Sequence, residues 1–213
     1  MANYIKNLIA EGEHQKLDFK FEMSDSRKIA KTLVAFANTM GGKLLVGVKD
    51  NGNIAGVRSD EEIYMVEAAA QMFCKPNIHF STKEWDIEGK TVLEVDIPKI
   101  ENQIHYALNE NNKWLAYLRV DDQNLLANTV LLKVWKGKKS EKGVRIKYSD
   151  EEKILLDYLK KNENISLSKF AKIARISRYK AEKILVNFIL LNIIDMVFTE
   201  KLVYYKLSGD YEA

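Results

Sequence analysis

The sequence predicts an α+β fold in two parts, on three observations. Strand-like and helix-like runs alternate over residues 1–135, a short cationic segment follows at 136–147, and residues 148–213 hold three helical runs and then two strand-like ones. With 46% hydrophobic residues in 213, the chain can fill two modest cores. No run approaches the roughly 20 uninterrupted apolar residues of a bilayer span, and the first residues lack the zones of a signal peptide. The expectation is a cytoplasmic protein with no membrane partner. Cys74 is the sole cysteine, which removes an internal disulfide and a cysteine-based zinc site and makes it a small core hydrophobe.

In the first part, Leu17, Phe19 and Phe21 alternate with Asp18 and Lys20, so one face of a strand is apolar and the other charged. Ser24-Asp25-Ser26 offers a cap to a helix on which Ile29, Leu33, Phe36 and Ala37 recur. Gly41-Gly42 ends that helix, and Lys43-Leu-Leu-Val-Gly-Val starts a strand at once, closed by the turn Asp50-Asn-Gly-Asn. A further helix over 61–73 stops before Pro76. Strands follow near 78–84, 91–97 and 114–120, and a helix over 128–135 closes the domain. The order β-α-β-α-β-β-β-α, with mixed strand directions, favours α+β over a doubly wound sheet.

Residues 136–147 carry two glycines, six cations and almost nothing to bury, which reads as a basic linker. Beyond it, Ser149-Asp-Glu-Glu starts a helix with an acidic first turn, and Ile154, Leu155, Tyr158 and Leu159 form its apolar stripe. A second short helix begins after Ser166. Ser177 caps a third, 178–190, with Ala181, Ile184, Leu185 and Phe188 turned inward. Two strand-like runs bracket Glu200-Lys201 as a hairpin. Three helices and a hairpin within about sixty-five residues spell a winged helix-turn-helix.

Charge is divided unevenly between the parts. Residues 136–213 hold 17 Lys and Arg against 11 Asp and Glu, a balance of +6, whereas residues 1–135 carry −3. A polyanion is therefore drawn to the C-terminal third. In a helix-turn-helix the third helix enters the major groove N-terminus first, which presents Ser177, Arg178, Tyr179, Lys180 and Lys183. Arg178 is the candidate base reader, its fork matching the two acceptors of guanine. Lys172, Lys180, Lys183 and the wing's Lys201 are candidate phosphate contacts. Double-stranded DNA is the expected partner, with RNA as the alternative. A homodimer is expected because one recognition helix covers only half a site.

The pattern Glu13-His-Gln-Lys-Leu-Asp18-Phe-Lys20, then Ala35-Phe-Ala-Asn38-Thr-Met-Gly41-Gly42, then Gly47-Val-Lys-Asp50-Asn-Gly52, resembles the Schlafen AlbA-type domain. Tyr117-Leu-Arg119-Val is similar to that family's late arginine-bearing strand, so the likeness covers about residues 7–135. The resemblance implies DNA binding and, with the C-terminal module, a bacterial transcriptional regulator. It marks Lys20, Asn38, Gly41, Gly42 and Arg119 as motif residues.

Animal Schlafens that cleave RNA use three acids at what look like the positions of Glu13, Asp18 and Asp50. The resemblance thus also carries an alternative, an endoribonuclease in which those acids hold Mg²⁺ or Mn²⁺ and activate water. Asp18 stands where the family usually has Glu, which shortens its reach by a methylene. The primary reading calls for no enzyme activity, cofactor or metal. A third reading, a nucleotide sensor, would use the Gly41-Gly42 turn as a phosphate cradle, although the full phosphate-loop spacing is absent. His14, His79 and His105 show no metal-ligand spacing.

Overall fold

A computed structural model describes residues 2–57, 61–139, 148–199 and 201–209. The chain forms two compact units, Met1–Ala127 and Asn128–Ala213.

The first unit is a mixed α+β domain built on a four-stranded sheet in the order β1 (Leu17–Lys20), β2 (Gly42–Val46), β5 (Lys90–Ile97), β4 (Ser81–Ile87). β1 and β2 are parallel, while β2–β5 and β5–β4 are antiparallel. The parallel pair needs a crossover, which α2 (Ser26–Asn38) supplies. Asp25 caps α2, its carboxylate accepting from the N–H groups of Arg27 and Lys28. Leu33, Phe36, Leu44, Val46, Leu93 and Val95 share a core with Val66 and Ala69 of α3 (Glu61–Met72). Each fully buried Leu, Val or Phe side chain contributes about 1.5–3 kcal/mol.

The other face is covered by α1 (Ala2–Glu11), whose Ile5, Leu8 and Ile9 pack on Leu17, Phe19, Leu45, Ile87 and Val92. The sequence reading leaves this helix out, although those three positions follow helical spacing. β3 (Cys74–Lys75), β6 (Tyr106–Leu108) and β7 (Trp114–Leu115) form a second small sheet, and β8 (Tyr117–Val120) pairs with β9 (Gln123–Leu126). The single strand expected at 114–120 is therefore two, parted at Ala116 and lying in different sheets. Cys74 is buried, and burial pushes its thiol up to about 12.

The second unit opens with α4 (Thr129–Lys138), capped by Asn128. The sequence reading places this helix at the end of the first domain, and the structure corrects that. Val130 and Val134 are buried with Leu155, Phe170, Ile184, Leu185 and Phe188 in the second core. Lys136 and Lys138 belong to the same helix, so the segment expected as linker starts helical, and the rest of it, 140–147, lies outside the described residues. α5 (Asp150–Leu159) follows with a capping box between Ser149 and Glu152. α6 (Leu167–Ile173) and α7 (Arg178–Leu190) are capped by Ser166 and Ser177. β10 (Ile194–Phe198) and β11 (Val203–Leu207) pair antiparallel, and Ile165 bridges to Tyr205. Among the described residues, no helix is long and apolar enough to cross a membrane.

Candidate functional site

The motif residues of the first unit converge on the junction of α2, β1 and β8. Gly41 has φ +72°, and a Cβ there would sit 2.7 Å from both the Ile97 carbonyl oxygen and the Lys99 nitrogen. Gly42 is equally tight, because its Cβ would meet the Phe36 ring at 2.5 Å. The pair thus lets α2 end against β5 and turn straight into β2. Asn38 braces the turn. Its amide donates to the carbonyls of His105 (2.9 Å) and Tyr117 (3.0 Å) and accepts from the His105 N–H at 2.8 Å. Both the amide and the glycines are occupied by the fold itself.

Arg119 is the hub. Its side chain is 1% exposed, and its guanidinium donates to the Leu17 carbonyl (3.1 Å), to Asn124 Oδ1 (3.2 Å) and to Asp18 Oδ1 (3.2 Å). The cation also lies 5.2 Å from the Phe36 ring centroid. Gln15, Thr39 and Asn124, which sequence reasoning misses, complete the network. Gln15 donates to the Arg119 carbonyl at 2.8 Å, and the Thr39 hydroxyl accepts from the Arg119 N–H at 2.9 Å. Gln15 and Thr39 sit inside the quoted motif, so their positions were a signal; Asn124 had none.

The structure brings Glu13 and Asp18 together. Asp18 alternates with Leu17 and Phe19 on β1 and so faces away from α1, yet it is only 3% exposed. Arg119 holds Oδ1, and Lys20 Nζ stands 3.0 Å from Oδ2. Glu13 Oε1 accepts from the Phe19 N–H at 2.8 Å. Burial, then hydrogen bonding with the Asp18 carboxyl, pushes the Glu13 carboxyl up to about 7. Asp50 does not join them and stands exposed in the turn after β2. Among the described residues, no group of three or more His, Cys, Asp or Glu side chains is placed to hold a metal ion. With Asp18 committed to two cations and Asp50 elsewhere, the three-acid metal arrangement does not fit this geometry.

In the second unit, the end of α7 carries the other candidates. Ser177 Oγ accepts from the Lys180 N–H at 3.2 Å, and Arg175 in the preceding turn has φ +53°. Arg178, Tyr179, Lys180 and Lys183 are exposed, as are Lys172 on α6 and Lys201 at the hairpin tip. Two of these cations are already paired with acids of the same unit. Arg178 Nε lies 3.4 Å from Glu182 Oε1, and Lys180 Nζ lies 2.6 Å from Glu151, whose carboxyl that lysine and Ser149 hold down at about 2.

Glu182 also takes Lys133 (2.5 Å) and Thr129 (3.1 Å) from α4, while Lys133 stands 5.2 Å from the Tyr179 ring centroid. Farther along, Gly137 approaches Leu190 so closely that a Cβ would sit 2.6 Å from it. Tyr179, Glu182, Val186 and Leu190 share one side of α7, and α4 runs along that side. The first turn and Lys183 are left open.

A parallel β1–β2 pair joined through a capped helix and a Gly-Gly turn, with a buried arginine tying a late strand to an acid on β1, defines the class of the first unit as an AlbA-like α+β domain. The family model "Schlafen, AlbA_2" matches residues 13–128, and the chain belongs to that family. Among solved structures, the chain is similar to the DIP2311 protein from Corynebacterium diphtheriae, with 19% identity, 66% of this chain and 28% of that chain covered, and a TM-score of 0.46. It is also similar to the N-terminal domain of a RecG-related protein from Nitrosomonas europaea, with 20% identity, 59% and 95% covered, and a TM-score of 0.42. No curated protein matches the chain.

Proposed function

We propose that the chain is a nucleic-acid-binding regulator of transcription whose second unit is a winged helix-turn-helix that engages duplex DNA. One observation carries the reading: the capped start of α7 presents Arg178, Tyr179, Lys180 and Lys183 to solvent beside a hairpin that ends in Lys201. The surplus of +6 charges over residues 136–213 supports it. So does the family of the first unit, to which we assign a second nucleic-acid surface. Because α4 lies along one side of α7, the helix engages the groove by its first turn and by Lys183. Arg178 reads a base edge, with Glu182 fixing the direction of its guanidinium. Lys172, Lys180, Lys183 and Lys201 meet phosphates, and two copies pair to cover two half-sites.

Fluorescence anisotropy with a labelled duplex tests this. Arg178→Ala combined with Lys180→Ala is expected to weaken binding by roughly tenfold or more, and Lys183→Ala alone to reduce the salt slope by about one. Duplex affinity and salt slope that match the unsubstituted protein in all three positions would remove the assignment.

A further inference from the structure

We propose that the flank of the first unit's sheet beside α1 seats unpaired bases of a single-stranded nucleic acid, with Trp85 and Tyr4 as the stacking wall and Lys83 and Lys16 as phosphate contacts. This goes beyond the duplex reading and stands on different residues.

α1 covers the sheet only as far as Leu45, Val92 and Ile87. Past that point the register sets Lys43, Asp96 and Ser81 in one row and Glu94 beside Lys83 in the next. The result is a cleft of about 410 Å³, within the size range of ligand sites. Its floor is tied together around Glu94, with Lys43 standing between the two carboxylates of Glu94 and Asp96. Glu94, 5% exposed, accepts from Tyr4 (2.9 Å), Lys43 (2.7 Å) and Trp85 Nε1 (2.7 Å). Burial alone would raise its carboxyl, but these donors outweigh burial and hold it below the usual range, so it stays ionised against Lys43. Lys43 also reaches Asp96 at 2.8 Å. Glu94 is shielded while Asp96 stays half exposed, so phosphates belong at the rim, with Lys83 and Lys16, and not on the floor.

The wall has the chemistry of a stacking platform. The Trp85 and Tyr4 rings lie 5.1 Å apart, and the indole is fixed by its bond to Glu94. Lys83 Nζ stands 4.0 Å from the Trp85 ring centroid. Lys83 is exposed and makes no ion pair with the described residues, so the cation over that ring is free to move off it. A nucleobase can take its place on the indole while the ammonium swings to the adjoining phosphate. The occupant is a chain because the cleft continues. A second one, of about 390 Å³, shares Lys43 and Asp96 with the first and extends past Gly41 and Gly42 to Lys16 and Lys99. A single nucleotide fills one cleft; a strand crossing Lys43 fills both.

The test uses the full chain and a labelled oligothymidylate of about 12 nucleotides. Lys83→Glu is expected to weaken binding at least tenfold and Tyr4→Leu at least fivefold, while Arg178→Ala with Lys180→Ala leaves this binding unchanged. Thymidine monophosphate at millimolar concentration is expected not to compete. Lys83→Glu changes an exposed side chain and leaves the core intact, so unaltered oligonucleotide affinity in that variant overturns the site. Full competition by the mononucleotide overturns the strand as occupant. Loss in the α7 variant, with none in Lys83→Glu, assigns single-strand binding to the second unit instead.

Discussion

Replacing Arg119 by Met removes a cation that lies inside the first unit, and the cost follows from what it leaves behind. The Leu17 carbonyl and Asn124 Oδ1 lose donors at 3.1 and 3.2 Å, and Asp18, 3% exposed, loses its ion pair at 3.2 Å. Lys20 still faces the other oxygen of Asp18, but its own side chain is 40% exposed. Breaking a buried pair by deleting one partner typically costs about 3–5 kcal/mol. That is a large share of the roughly 5–15 kcal/mol that holds a domain together. Urea unfolding followed by tryptophan fluorescence reports it, in a Trp135→Phe background so that Trp85 and Trp114 of the first unit give the signal. Asp18→Asn with Arg119→Met should recover part of the loss, with a coupling of roughly 1–3 kcal/mol. A loss below about 1 kcal/mol, or no coupling in the cycle, would show that the guanidinium does not organise this junction.

Two further outcomes rest on the same unit. Glu13 keeps its proton up to about 7 when folded and releases it in the ordinary carboxyl range when unfolded. The folded state therefore binds more protons between those values, and stability falls as pH rises from about 5 to 7. Glu13→Gln should flatten that slope, measured by urea midpoints across the same pH range; an unchanged slope assigns the effect to other groups. Gly41→Ala, placing a Cβ 2.7 Å from two backbone atoms at φ +72°, should cost well over about 1 kcal/mol in the same assay, and a neutral result would mean that the α2–β2 turn yields easily.

What could be read from the sequence followed the length of each element. β1 and β5 are runs long enough for alternation to show, β2 shows as an apolar run straight after Gly41-Gly42, and α2 announces itself by its cap at Asp25 and its stop at Gly41. β3 and β7 have two residues each, too few for any period, and are set by partners distant in the chain. α4 went to the wrong core because Lys136–Lys139 has the composition of a linker, whereas Val130 and Val134 find their neighbours on α7. The site was legible as a motif but not as a geometry. Glu13, Asp18 and Asp50 look equivalent in one dimension, and only the tight turn before β1, closed by the His14–Leu17 bridge and the bond from the Phe19 N–H to Glu13, shows that the first two meet. The burial of Arg119 and Glu182 was equally out of reach, since charged residues read as surface unless their partners are known.

The placement of α4 also fixes where the polypeptide can be cut. A fragment that starts at Lys136, where composition invites the scissors, would strip Val130 and Val134 from their core and leave Glu182 without Thr129 and Lys133. The natural seam runs between Ala127 and Asn128, so a piece expressed alone inherits its full interior only if it begins with the asparagine that caps this helix.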